Sequence, residues 1–236
     1  MRIHLVFDLL AWLCAWLASV AVTRLGLLPS RSRSPFTDPG YFIALGLGAI
    51  AGAVLFGSIN LRAAGFLQLG HSIAGAIAGG IVAVEIFKWF RGIKGSTGIQ
   101  FVVPLAVGIA VGRWGCFFAG LPDYTFGLPT RMPWGVDFGD GVPRHPVQLY
   151  ESLSMLVFLT IYLVSAGRRA PFVLAQGFYL LVGYYALQRF IWEFFKPYPA
   201  LVGPLNLFQI LCMALLLYSA FMMSRNHDYR ATLAEL

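Results

Sequence analysis

The sequence predicts an all-α integral membrane protein of about seven transmembrane helices, with its N-terminus outside and its C-terminus cytoplasmic. Composition gives the first reason. Of 236 residues, 58% are hydrophobic and only 11% charged, and the mean hydropathy is +0.74. Water-soluble domains carry roughly 25% charged residues, so this chain has too few to cover a wetted surface. An ordinary soluble enzyme, a disordered chain and a disulfide-stapled secreted module are thereby excluded. The second reason is length: apolar runs of about 20 residues, enough to cross a hydrocarbon core, recur along the chain. The third is the placement of cations, which gather in alternate connections.

In chain order the runs lie near 4–23, 40–58, 72–90, 98–118, 147–166, 172–193 and 204–224. The first follows Arg2 and has the look of a secretory leader, but it exceeds the usual apolar region of about 7–15 residues and reads as a retained span. Within the third, Glu85 and Lys88 stand one turn apart near the inner end and read as a snorkelling pair. Residues 121–146 form the only long connection. Its aromatics (Tyr124, Phe126, Trp134, Phe138) alternate with prolines and glycines, the composition of an ordered outer loop. The whole chain, 1–236, reads as a single domain.

Orientation follows from the loops. With the N-terminus outside, the inner connections hold Arg24, Arg31, Arg33, Arg91, Lys94, Arg168, Arg169, Arg225 and Arg230; the outer ones hold Arg2, Arg62, Arg131, Arg144 and Lys196 beside several aspartates. The positive-inside rule favours that arrangement. Loop cations beside lipid headgroups also account for the net charge of +7 without nucleic acid as a partner. The cysteines Cys14, Cys116 and Cys212 are odd in number and far apart, which suggests neither a disulfide framework nor metal-ligand spacing.

The remaining ionisable residues fall at one depth. Arg113 closes the fourth span, Arg189 and Glu193 the sixth; Gln148 and Glu151 open the fifth behind Arg144-His145-Pro146; His71 precedes the third and Asp8 sits early in the first. Charges within a bilayer cost roughly 2.5–3.5 kcal/mol each on insertion scales, so they pair or face a wet cavity. The cluster is therefore a candidate site, although Arg189 and Glu193, four residues apart, also suit a structural ion pair. No phosphate loop, nucleophile elbow or zinc-protease motif is present.

Three segments resemble the bacterial prolipoprotein diacylglyceryl transferase family. Gly112-Arg113-Trp114-Gly115-Cys116-Phe117 is similar to its Gly-Arg-x-Gly-Asn-Phe signature. Pro133-Trp134-Gly135, followed by Arg144-His145-Pro146-Val147-Gln148-Leu149-Tyr150-Glu151, resembles its Arg-His-Pro-x-Gln-Leu-Tyr-Glu segment. Arg189-Phe190-Ile191-Trp192-Glu193-Phe194-Phe195 is similar to its Arg-x-Ile-x-Glu-Phe-Phe. The resemblance runs from about the third helix to the seventh, with helix one and the first loop matching poorly.

The resemblance implies a multi-pass enzyme of the bacterial cytoplasmic (inner) membrane. Such an enzyme moves the diacylglyceryl group of phosphatidylglycerol to the lipobox cysteine thiol of a prolipoprotein and releases glycerol phosphate, with no cofactor. Arg113 and Arg189 would then bind the phosphate, and His145 or Glu151 would orient the site or take the thiol proton. Arg144, Gln148, Glu193 and His71 would line the substrates. Two departures stand out: Cys116 replaces the signature asparagine, and Ala74 occupies a family histidine position with His71 one turn earlier. They leave two other readings open, a relative with a different acceptor and a catalytically silent protein that binds anionic lipid or lipoprotein.

Overall fold

A computed structural model describes residues 2–28 and 38–225. Among these, seven long helices account for most of the chain: α1 (Arg2–Arg24), α2 (Pro39–Ala63), α3 (Ile73–Arg91), α4 (Val102–Ala119), α5 (Val147–Gly167), α6 (Pro171–Trp192) and α7 (Leu207–Arg225). Six are long and apolar enough to cross a membrane; the exception is α6, which carries Gln176, Gln188 and Arg189. The loop cations Arg31, Arg33 and Arg230 lie outside the described residues.

Local chemistry sets the ends. Asp38 caps α2 by accepting from the Gly40 amide at 2.8 Å, with Pro39 at the first helical position. Ser72 caps α3, which stops at Gly92 in the left-handed region, φ 64°. Helix α7 begins at Leu207, later than expected from hydropathy. Asn206 and Gln209 form a reciprocal cap there, each side-chain oxygen accepting the other's backbone N–H at 2.9 Å. The residues before it form a small antiparallel hairpin, β3 (Ala200–Val202) with β4 (Leu205–Asn206).

Helix α4 packs between α1 and α5, α6 between α5 and α7, and the α2–α3 hairpin closes against α7. The core joins Val102, Ala106 and Ile109 of α4 to Met155 and Phe158 of α5 and to Leu181 and Tyr185 of α6. The outward faces are apolar instead of charged: Leu9, Trp12 and Trp16 on α1, Leu47 and Ile50 on α2, and Ile161 on α5 are all exposed. A belt of this kind suits hydrocarbon.

Helices alternate in direction, so one end of the bundle gathers the start of α1, the end of α4, the start of α5 and the end of α6. There His4 meets Asp123 at 2.7 Å and Phe66 stacks edge-on against Tyr124 at 5.0 Å. At the opposite end Arg91 meets Asp38 at 2.9 Å. The 121–146 connection covers the first end. It contains the hairpin β1 (Val136–Asp137) with β2 (Pro143–Arg144). Asp137 Oδ1 closes the hairpin by accepting from the amides of Gly139, Asp140 and Gly141. The Leu128 amide donates to the Phe195 carbonyl at 2.6 Å, and Tyr124 donates to the Pro197 carbonyl at 3.1 Å. These bonds tie the connection to the segment after α6.

Helices α2 and α3 meet through the same pentapeptide used twice: Gly48-Ala-Ile-Ala-Gly52 and Gly75-Ala-Ile-Ala-Gly79. They run antiparallel, with Gly52 against Gly75 and Gly48 against Gly79, so close that a Cβ on any of the four would strike the facing backbone or side chain. Small residues at this spacing let helix backbones touch where lipid removes the hydrophobic drive to associate. Gly52→Val or Gly79→Val should lower the thermal midpoint in detergent, by at least the roughly 1–3 kcal/mol of ordinary overpacking. Gly46→Ala, on the same helix with open space around it, should leave the midpoint unchanged or raise it.

Candidate active site

Five ionised side chains meet beneath the 121–146 connection, and all are at least 96% buried: Arg113 from α4, Glu151 from α5, Arg189 from α6, and Glu193 and Lys196 from the turn that follows. Arg113 Nε lies 2.6 Å from Glu151 Oε2. Lys196 Nζ donates to Glu151 Oε1 at 2.7 Å and to Glu193 Oε1 at 3.2 Å. Arg189 reaches Glu193 Oε1 at 3.1 Å and approaches Glu151 Oε1 at 4.0 Å. The other Glu193 oxygen accepts from Asn206 Nδ2 at 3.3 Å, so the cap of α7 also fixes the cluster.

Aromatic rings complete the walls. Arg189 stacks over Phe208 at 4.8 Å, and its NH1 donates to the Tyr185 hydroxyl at 3.4 Å. Lys196 sits 5.7 Å from the centre of the Tyr198 ring. Burial pushes the Tyr198 hydroxyl well above its ordinary pKa, so at neutral pH it remains a protonated donor. The sum of formal charges is informative: three cations face two carboxylates, an excess of one positive charge with almost no water access. An uncompensated buried charge costs several kcal/mol. A monoanion entering here would restore neutrality.

Other residues singled out from the sequence lie apart from the cluster. Gln148 is buried and donates to Thr125 Oγ1 at 3.3 Å. His145 Nδ1 pairs with the Tyr150 hydroxyl at 3.2 Å, and its ring packs on Phe195. Arg144 turns to the loop: it donates to Asp140 at 2.6 Å and covers Phe126 at 5.2 Å. The bond from Arg144 holds the Asp140 carboxyl below its usual range. His71 is exposed, whereas Ala74 is completely buried in the core, so the two positions face different surroundings. Asp8 lines a cavity described below. Lys88 is buried and pairs with Glu85 at 3.0 Å, and Tyr218 donates to the same carboxylate at 2.9 Å, which makes the pair an interior one and not a snorkelling one.

Two features escape a reading of the sequence. Lys196 counts there as one more outer-loop cation, yet its ammonium is fully enclosed between both glutamates. The Arg189-x3-Glu193-x2-Lys196 spacing is the available signal, since it stacks the three groups along one helical face. The second feature is a group formed by His4, Cys116 and Asp123, whose ligand atoms lie within 4.8 Å of one another. Cys116 Sγ is also 4.0 Å from Arg113 NH1.

Beside the cluster lies a cavity of about 700 Å³ walled almost wholly by apolar side chains of α1–α4, α6 and α7. It runs from Asp8 and Gly112, the neighbour of Arg113, to Glu85, Thr97 and Tyr218 at the opposite end. A buried cationic cluster one residue along α4 from an apolar cavity suits a molecule with an anionic head and long hydrocarbon tails.

Comparison with known proteins agrees with this chemistry. The family description "prolipoprotein diacylglyceryl transferase" matches residues 6–225, which takes in helix one as well as the later motifs. Proteins named phosphatidylglycerol–prolipoprotein diacylglyceryl transferase are similar over most of the chain. That of Geobacter sulfurreducens is 32% identical over 84% of this chain and 79% of its own length. That of Coxiella burnetii is 37% identical over 66% and 62%, and that of Nitratidesulfovibrio vulgaris 32% over 76% and 72%. No solved structure matches. With its membrane-type exterior and a match spanning almost every described residue, the chain belongs to the prolipoprotein diacylglyceryl transferase family.

Proposed function

We propose that the buried cationic cluster receives the phosphate of phosphatidylglycerol and that the adjoining cavity receives its acyl chains. The enzyme is a phosphatidylglycerol–prolipoprotein diacylglyceryl transferase acting in lipoprotein biosynthesis. It moves the diacylglyceryl group to the lipobox cysteine of a prolipoprotein. The observation that carries this reading is the excess positive charge of Arg113, Arg189 and Lys196 over Glu151 and Glu193, held out of water beside an apolar cavity.

The chemistry follows from that charge. A cysteine thiolate attacks the glyceryl carbon bonded to phosphate; a C–S bond forms and the C–O bond breaks. Its electron pair leaves on the phosphate as glycerol phosphate, which carries one more negative charge than the diester. Arginine forks aimed at that oxygen stabilise the developing charge more than the ground state. Glu151 and Glu193 hold the arginines and Lys196 in place, and aromatic walls keep water out. Gln148 is buried beneath the covering loop and bonded to its Thr125, while Arg144 and His145 hold that loop's shape. We assign the chain to the bacterial inner membrane as a single seven-span domain, the N-terminus and the site facing outward. The cation-rich connections, with Arg91, Arg168 and Arg169, face the cytoplasm.

In proteoliposomes containing phosphatidylglycerol, Arg113→Ala or Arg189→Ala should lower diacylglyceryl transfer to a lipobox peptide by about 10²–10³-fold, the effect of removing one oxyanion donor. Arg113→Lys should not restore it, because an ammonium lacks the fork. Full transfer by Arg113→Ala would overturn the assignment; lipid binding without transfer in the wild type would leave only an anionic-lipid receptor. Glu151→Gln should cost stability as well, about 3–5 kcal/mol in a melt, because it strands buried cations. Added phosphatidylglycerol should recover part of that loss, and neutral phosphatidylcholine should not.

A further inference from the structure

A transferase of this kind needs a group that takes the proton of the acceptor thiol, because the thiol form is a poor nucleophile. Within the ionic cluster both carboxylates are held in ion pairs, although Glu151 Oε2 accepts no hydrogen bond. Both oxygens of Glu151 are engaged by Arg113 and Lys196, and both oxygens of Glu193 by Arg189, Lys196 and Asn206. Among the described histidines, His71 is exposed beyond the cluster, and His145 sits in the covering loop against Tyr150 and Phe195 with no carboxylate beside it. His4 alone among them pairs with a carboxylate, Asp123 Oδ1, at 2.7 Å.

Resting on the transferase reading above, we propose that His4, oriented by Asp123, is the general base that removes the proton from the prolipoprotein cysteine. Nε2 faces Asp123 Oδ1 at 2.7 Å; a proton held on that nitrogen leaves Nδ1 with the free lone pair. The Nδ1 side of the ring lies over Gly115, where a Cβ would stand only 3.8 Å from it. Cys116, next along α4, lies within 4.8 Å of the His4–Asp123 pair and 4.0 Å from Arg113. The base and the phosphate-binding arginine are thus separated by one side chain. His4 is about one-third exposed, so a peptide can reach it, whereas Glu151 is buried.

Asp123 is itself held. Its second oxygen accepts from Thr125 Oγ1 at 2.5 Å, and Thr125 accepts from the buried Gln148 at 3.3 Å. A carboxylate fixed this way selects the ring tautomer and stabilises the imidazolium that forms. In the step, the S–H proton passes to Nδ1 and the sulfur pair forms the C–S bond. The C–O pair leaves on the phosphate, and the imidazolium then gives its proton to that phosphate or to water. Asp123 is a positioning residue. The direct 2.7 Å approach of His4 Nε2 to Asp123 Oδ1 favours a base over a metal bridging the same atoms.

The test uses the full chain in phosphatidylglycerol proteoliposomes with a lipobox peptide, and measures transfer against pH. The ionisable groups around His4 are Asp123 after α4, Cys116 and Arg113 on α4, and Asp8 one turn along α1. With His4→Gln, which keeps a donor toward Asp123, kcat at neutral pH should fall about 10²–10⁴-fold while KM for phosphatidylglycerol stays unchanged. The residual rate should climb about tenfold per pH unit toward the thiol pKa of about 8.5, as free thiolate replaces the base. Asp123→Asn should lower kcat with the same unchanged KM.

Wild-type rates from His4→Gln, or a rate that remains one fixed fraction of wild type at every pH, would overturn the base. Loss of wild-type transfer in chelator, restored by zinc, would give the three groups to a metal and overturn it too. A wild-type protein that transfers nothing would overturn the transferase reading itself, and this one with it.

Discussion

Five charges without water organise one end of this protein. Arg113, Glu151, Arg189, Glu193 and Lys196 come from three helices and a turn, and each would be ruinous alone in an apolar bundle. Each therefore constrains its element. Helix α4 must present Arg113 to α5, and α6 must end where Arg189 and Glu193 stack. The chain must then double back to bring Lys196 between the two glutamates. The reciprocal Asn206–Gln209 cap starts α7 directly after Asn206, whose side-chain amide donates to Glu193. The covering loop is fastened to this turn through Phe195 and Pro197. The arrangement leaves one positive charge unanswered, the imbalance on which the proposed anion site rests.

The rest of the molecule turns soluble-protein logic outside in. Leucine, isoleucine and tryptophan face outward while arginine and glutamate face inward, the arrangement lipid imposes when it offers charges no solvation. With no hydrophobic force to draw helices together, α2 and α3 rely on backbone approach through matching glycines. Their hairpin walls the apolar cavity together with α1, α4, α6 and α7. In the proposed binding mode an amphiphile keeps its tails in hydrocarbon-like surroundings while its head meets Arg113, Arg189 and Lys196.

Much of this was legible in the sequence, and the reasons differ by residue. Arg113, Arg189, Glu151 and Glu193 announce themselves because a charge in an apolar run is too costly to be incidental. The long helices were legible from hydropathy, although α2 runs five residues past its expected end, α4 starts four residues late behind a short 3-10 turn, and α7 starts three residues late at its polar cap. Lys196 was hidden by its position in a connection, where cations are ordinarily solvated. Arg144 and His145 carry a strong motif yet lie in the covering loop, since sequence adjacency to Glu151 does not imply a shared direction. The paired Gly-Ala-Ile-Ala-Gly segments pass unremarked in the sequence and acquire meaning only when the helices face each other.

By itself, then, the sequence determined membrane residence, the order of the helices and the rarity of the charges that mark the site, because hydropathy and cost of burial are properties of single residues and short windows. Only the tertiary structure decided which charges meet, that their sum leaves an excess cation, and that His4 at one end of the chain stands against Asp123 after the fourth helix. Those are distances between residues far apart in sequence. Such distances are set by how seven helices pack, and no local pattern records them.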